Sequence, residues 1–151
     1  MKLTDILTAN CIRVPLEAAD KTGTITELVD VLADQGLLAD RDLVLQAILD
    51  RERTASTGIG QGLAVPHGKS SGCDRLVMAL GKPAEPLDFD SKDGKPVEIV
   101  VLLASPPQKT GPHIQALARI SRLMMMESFR QGVKAADSAG ALWDVVCEHE
   151  Q

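Results

Sequence analysis

Aromatic residues are nearly absent: the chain has two Phe, one Trp and no Tyr among 151 residues. A nucleic-acid module that stacks bases on exposed rings would have little to work with. Basic runs are missing as well. Lys and Arg number 16 against 21 Asp and Glu, a formal charge of −5. Such an acidic chain is poorly suited to DNA, RNA or an anionic membrane surface as its main partner. Cysteines are scattered, at Cys11, Cys73 and Cys147. An odd number at wide separation offers neither a disulfide framework nor a CxxC zinc knuckle, so three reduced thiols are expected. The longest strongly apolar stretch, Ile99–Ala104, falls far short of the roughly 20 residues that span a bilayer. The N-terminal MKLTDILTANC is interrupted by Asp5 and does not read as a secretory signal. These absences predict a soluble, cytoplasmic protein with no nucleic-acid partner and no membrane insertion.

Several motifs are also missing. HxxH, HExxH and CxxC do not occur, which leaves no metal-ligand spacing and predicts no metal and no cofactor. The nucleophile elbow GxSxG is absent, which argues against a Ser–His hydrolase. Gly58-x-Gly60-x-Gly62 is not GxGxxG, because Leu63 follows. Gly62 to Gly68-Lys69-Ser70 has five intervening residues where a Walker A loop has four, and Pro66 removes an amide that loop would use.

What remains is an ordinary globular composition, 44% hydrophobic and 25% charged, over a length that suits one domain, residues 1–151. A chain this long buries roughly 70% of its unfolded surface without staples. Ile25, Leu28, Val29 and Leu32 fall at helical spacing after a cap at Thr22 or Thr24, with Gly36 as the stop. A second helix is expected from Asp40 to about Arg51 or Glu52. Short apolar runs at Cys11–Val14, Leu63–Val65, Leu76–Leu80 and Glu98–Ala104 suit strands. Helical spacing returns from Gly111, and Asp137 or Ser138 caps a last helix carrying Leu142, Val145 and Val146. Met124–Met126 is read as core filling, and the tail His149–Gln151 as frayed, with no role for His149. The order of elements predicts an α/β or α+β layer structure with a helix-covered sheet.

The chemistry concentrates between Arg51 and Lys69. Ser56, Thr57, Gly58, Gly60 and Gly62 bring hydroxyls and glycines together. Glycine lets the main chain approach a ligand closely, and clustered amides bind anions, so phosphate binding is expected at these five residues. His67 follows the run Leu63–Val65 and sits between Pro66 and Gly68. An imidazole near its ordinary pKa of about 6.5 is largely neutral at pH 7 and can act as a nucleophile. Its natural electrophile in an anion pocket is a phosphoryl group. His113 opens the helix at Gly111-Pro112-His113-Ile114, where free amides and the helix dipole suit phosphate. Arg51 and Arg53 offer bidentate phosphate contacts, while a solvated helix end explains them equally well. Lys69 is expected to point to solvent.

The stretch Ser56-Thr-Gly-Ile-Gly-Gln-Gly-Leu-Ala-Val-Pro-His67-Gly-Lys69, with Arg51-Glu52 upstream and Gly111-Pro-His113-Ile-Gln-Ala-Leu-Ala118 downstream, closely resembles the enzyme IIA domains of the phosphotransferase system, mannitol/fructose type. The resemblance runs over essentially the whole chain. It implies an α/β single domain with a mixed five-stranded sheet flanked by helices on both faces. It also implies a phosphotransferase in which His67 accepts the phosphoryl group through Nε2, steadied by Arg51 and His113. The implied donor is a histidine phosphocarrier protein, and the implied recipients are downstream regulatory targets or a IIB domain. Leu63, where a β-branched residue is commoner, and Pro112 depart from the family pattern without touching a role-bearing side chain. The stand-alone length, with no attached IIB, IIC or carrier segment, points to the nitrogen-regulatory branch. A sugar-specific IIA subunit is the near alternative, and a non-covalent sensor of phosphorylated ligands is the alternative from another class.

Overall fold

A computed structural model describes residues 1–150. Five strands were expected and six are found. They are β1 (Ile12–Leu16), β2 (Gly58–Gly60), β3 (Leu63–Ala64), β4 (His67–Lys69), β5 (Val77–Pro83) and β6 (Ile99–Ser105). The sheet runs β1-β5-β6-β3-β2, and β4 also pairs with β6. The extra strand arises because the chain breaks at Val65-Pro66. Leu63–Ala64 lies parallel to Ile99–Val100, and His67–Lys69 lies parallel to Leu103–Ser105 farther along the same edge. The other edge of β6 carries β5, antiparallel, and β1 lies parallel beyond it. All seven residues of β6 are buried, so both faces of the central strand are covered, as its unbroken apolar sequence requires.

The covering elements are α1 (Lys21–Asp34), α2 (Arg41–Thr54), α3 (Thr110–Met124), α4 (Glu127–Ala135) and α5 (Ala139–His149). Helix α1 packs on α2, while α4 packs on α3 and α5. The apolar face of α1 is fully buried at Ile25, Leu28, Val29 and Leu32. Its cap is Asp20, whose carboxylate accepts from the Gly23 amide at 2.7 Å, rather than Thr22 or Thr24. Thr24 is turned into the core, 0% exposed, and so cannot cap. Gly36, at φ +72°, ends the helix: its amide reaches the Ala33 carbonyl and the Leu37 amide the Leu32 carbonyl, which together form a Schellman stop. Asp40 caps α2 as expected, and Ser138 caps α5.

Two further expectations are corrected. Of Met124–Met126 only Met124 fills the core; Met125 is 80% and Met126 42% exposed, because α3 ends there and turns directly into α4. The tail is held, not frayed. Glu150, 2% exposed, accepts from the Leu3 amide at 2.8 Å and from Arg119 at 2.9 Å. His149 packs edge-on against Phe129 with ring centroids 5.3 Å apart. Gln151 lies outside the described residues.

Candidate active site

Strand β4 and the first turn of α3 meet beside the carboxyl end of β6, where open α/β sheets place ligands. Strand β4 delivers His67, level with Leu103. The chain leaves β6 at Ser105 and re-enters as α3, which delivers His113. The two rings stand 5.4 Å apart, centroid to centroid, at 62°. Residues 46 positions apart in sequence are thus brought into one site by parallel pairing.

The two imidazoles are held differently. His67 Nδ1 lies 2.7 Å from the Val65 carbonyl oxygen. A carbonyl can only accept, so Nδ1 carries the proton and Nε2 keeps its lone pair. Partial burial lowers the His67 pKa below its ordinary value, the Val65 bond opposes that, and the Arg51 charge adds to it. His113, 4% exposed, has Nδ1 2.7 Å from Ser105 Oγ. Ser105 is itself 0% exposed, and its hydroxyl has no other partner among the described residues. Were Ser105 to accept, its own O–H would be left without a partner, at a cost of about 1–3 kcal/mol. It therefore donates to Nδ1, and His113 carries its proton on Nε2. Burial, then the neighbouring His67 and Lys69, bring the His113 pKa down to about 4. Both rings are neutral at pH 7: one offers a lone pair, the other an N–H.

Arg51 sits in the last turn of α2, with Nη1 donating to the Ala55 carbonyl at 2.9 Å. That bond uses one of five guanidinium N–H groups, and the charge is close enough to act on His67. Arg53 does not join it. Its guanidinium pairs with Asp50 on the exposed side of α2. Lys69 is exposed, as expected, and its ammonium donates to Thr110 Oγ1 at 2.9 Å, tying β4 to the start of α3.

The glycine and hydroxyl residues expected to bind phosphate are engaged in turn geometry, close packing and hydrogen bonds within the loop. Gln61 and Gly62, at φ +58° and +78°, form the two-residue hairpin turn between β2 and β3, a conformation that favours glycine. Leu63 and His67 pair with Ile99 and Leu103, four residues apart on β6. Gly60 and Gly62 therefore lie about 13 Å along the sheet from His67. At Gly58 a Cβ would fall 2.9 Å from the Ser91 Cα, so the residue answers to close packing. The Gly58 amide donates to Ser56 Oγ, which in turn donates to the Phe89 carbonyl. Thr57 is 3% exposed, and both its amide and its hydroxyl donate to Glu52, at 2.9 and 2.6 Å.

Glu52 was not singled out in the sequence. It is 8% exposed, pairs with Lys21 at 2.9 Å and clamps Thr57, closing the loop that follows α2. Lys21 also lies over the Phe89 ring, 5.2 Å from its centroid. A charged residue in the last turn of a helix followed by a threonine is too common a pattern to announce this contact. Ser105 is equally silent in sequence, as the last residue of an apolar strand.

A helix-covered α/β sheet presenting a lone-pair imidazole beside a second imidazole, with an arginine charge in reach, offers the groups that a phosphoryl transfer requires. The description "Phosphoenolpyruvate-dependent sugar phosphotransferase system, EIIA 2" matches residues 5–149, and the chain belongs to that family of phosphotransferases. It is 36% identical to a fructose-specific EIIA component of Haloferax volcanii, covering 98% of each chain. It is 32% identical to a nitrogen regulatory protein of Bradyrhizobium diazoefficiens, covering 97% of this chain and 95% of that one. It also matches, at 36% identity over its full length, 24% of a fructose-specific EIIABC component of Bacillus subtilis, and so spans about a quarter of that relative. Among solved structures, nitrogen regulatory protein IIA-Ntr from Neisseria meningitidis superimposes with a TM-score of 0.82 at 27% identity, over 95% of this chain and 98% of that one. Among the described residues no helix is long and apolar enough to cross a membrane.

Proposed function

We propose that the protein is a phosphoryl carrier in which His67 takes a phosphoryl group from a histidine phosphocarrier protein and signals its phosphorylation state to downstream partners, as a nitrogen-type regulatory IIA. The observation that carries this reading is the 2.7 Å bond from His67 Nδ1 to the Val65 carbonyl, which leaves Nε2 as the nucleophile. The carrier donates as a phosphoimidazolium, protonated on its other ring nitrogen: the Nε2 lone pair attacks phosphorus in line, the carrier N–P bond breaks, and the carrier ring leaves as neutral imidazole. His67 keeps its Nδ1 proton on Val65 and becomes a phosphoimidazolium, which is primed to leave in the next transfer. The transition state is loose, so positioning and charge carry the catalysis. Arg51 and His113 Nε2–H supply donors to the equatorial oxygens.

A sugar-specific IIA is the second reading, favoured by the 36% identity to the stand-alone fructose-specific component. In that case the phosphoryl group passes to a IIB domain. The test is an energised donor relay with wild-type and His67→Ala protein, followed by addition of a IIB domain. Wild type is expected to gain label and His67→Ala none. Label that persists on addition of IIB supports the regulatory branch, and rapid discharge supports the sugar branch. Reversible binding of a phosphorylated metabolite with no covalent adduct would overturn both in favour of a sensor.

A further inference from the structure

We propose that Ser105 is a positioning residue for phosphoryl transfer, its hydroxyl donating to His113 Nδ1 in the resting site and accepting from Nδ1–H once His67 carries phosphate. The proposal rests on the reading of His67 as the acceptor. It starts from an asymmetry between the two histidines. Nδ1 of His67 meets a carbonyl, which fixes one protonation state; Nδ1 of His113 meets a hydroxyl at 2.7 Å, which can donate or accept. Ser105 is 0% exposed, and its hydroxyl bonds to no other group among the described residues. One site thus holds an imidazole whose proton is locked and another whose proton count can change.

Phosphorylation supplies the reason for the change. A phosphoryl group on His67 Nε2 places up to two negative charges beside the His113 ring, whose centroid is 5.4 Å from that of His67. His113 then takes one proton from solvent and none from His67, whose Nδ1–H stays on Val65. The charged and titratable groups acting on His113 are His67 and Lys69 from β4; Arg51 and Glu52 from α2 act on His67. The Lys69 ammonium opposes the uptake, and the phosphoryl charge must exceed it. When His113 gains its proton, Ser105 Oγ rotates from donor to acceptor, and the phosphoryl charge must also offset the cost of leaving the buried Ser105 O–H without a partner. The ring stays in place and Nε2–H continues to face the phosphoryl oxygens.

The experiment is 15N-histidine NMR of the full chain before and after phosphorylation by the donor relay, on wild type, Ser105→Ala and Ser105→Thr, with transfer rates measured across pH. Unphosphorylated wild type is expected to show His113 as the Nε2–H tautomer. On phosphorylation its apparent pKa rises, and in Ser105→Ala it rises by about one to two pH units less, as loss of a hydrogen bond to a charged ring requires. Transfer falls about tenfold in Ser105→Ala with a shifted pH profile, and Ser105→Thr restores both. An Nδ1–H tautomer in wild type overturns the proposal whether or not the Ala variant folds, as does Ser105→Ala with wild-type titration and rate. Phosphate on another residue of wild type overturns the acceptor reading and this proposal together. Phosphate on His67 with an unresponsive His113 overturns this one alone.

Discussion

At the scale of single residues, the site depends on what each imidazole nitrogen touches. Val65 gives His67 a fixed donor nitrogen and a free lone pair; Ser105 gives His113 an outward N–H. His113→Ala and Arg51→Ala each remove one stabilising group without unpairing a buried charge. Each is expected to slow phosphoryl acceptance about a hundredfold while circular dichroism stays that of wild type. A slowing of less than about threefold in both would remove them from the mechanism. The grouping of His67, His113 and Arg51 was expected from a histidine after a Pro-bounded apolar run and from cations at helix ends, and the structure brings the two rings to 5.4 Å with the Arg51 charge acting on His67. The hydroxyls and glycines admit two physical readings. The composition that suits an anion cradle also suits a tight hairpin turn, and only pairing with Ile99 and Leu103 tells which one a segment forms.

At the scale of elements, the alignment of β4 against α2 matters most. A Cβ on Gly68 would stand 3.1 Å from the carbonyl carbon of Ala47, inside α2. The contact is backbone on one side, so α2 has to shift as a unit, carrying Arg51 at its end. Gly68→Ala is expected to destabilise by about 1–3 kcal/mol and to slow transfer about tenfold, read by chemical denaturation and a phosphorylation time course. Unchanged stability and rate would mean that α2 does not set the position of Arg51. Long periodic elements were legible: α1, β5 and β6 fall within two or three residues of expectation. Strand β3 was expected at Leu63–Val65 and is found there, whereas β2 and β4, of three residues each, are too short to show alternation; β3 and β4 pair with the edge of β6, and β2 pairs with β3. Helix α4 was missed because Met124–Met126 reads as a continuing apolar stripe, whereas Met125 is exposed at the junction.

At the scale of the whole molecule, folding and pH are coupled through the same site. His113 titrates near its ordinary value of about 6.5 when unfolded and at about 4 when folded. Below about 6.5 the unfolded chain therefore binds more protons. The stability held by the buried neutral ring is complete above that pH and is lost as pH falls toward 4. Between pH 7 and pH 5 the loss amounts to about 2 kcal/mol at most. Denaturation curves of wild type should show it, and His113→Gln should flatten it; parallel pH slopes for the two would contradict it. The measurement that bears most directly on the central claim is intact mass and site mapping after incubation with an energised histidine phosphocarrier relay. The expected result is one added PO3 group on His67, stable in mild alkali and lost in acid. An unmodified mass, or phosphate on Ser56 or Thr57, would contradict it.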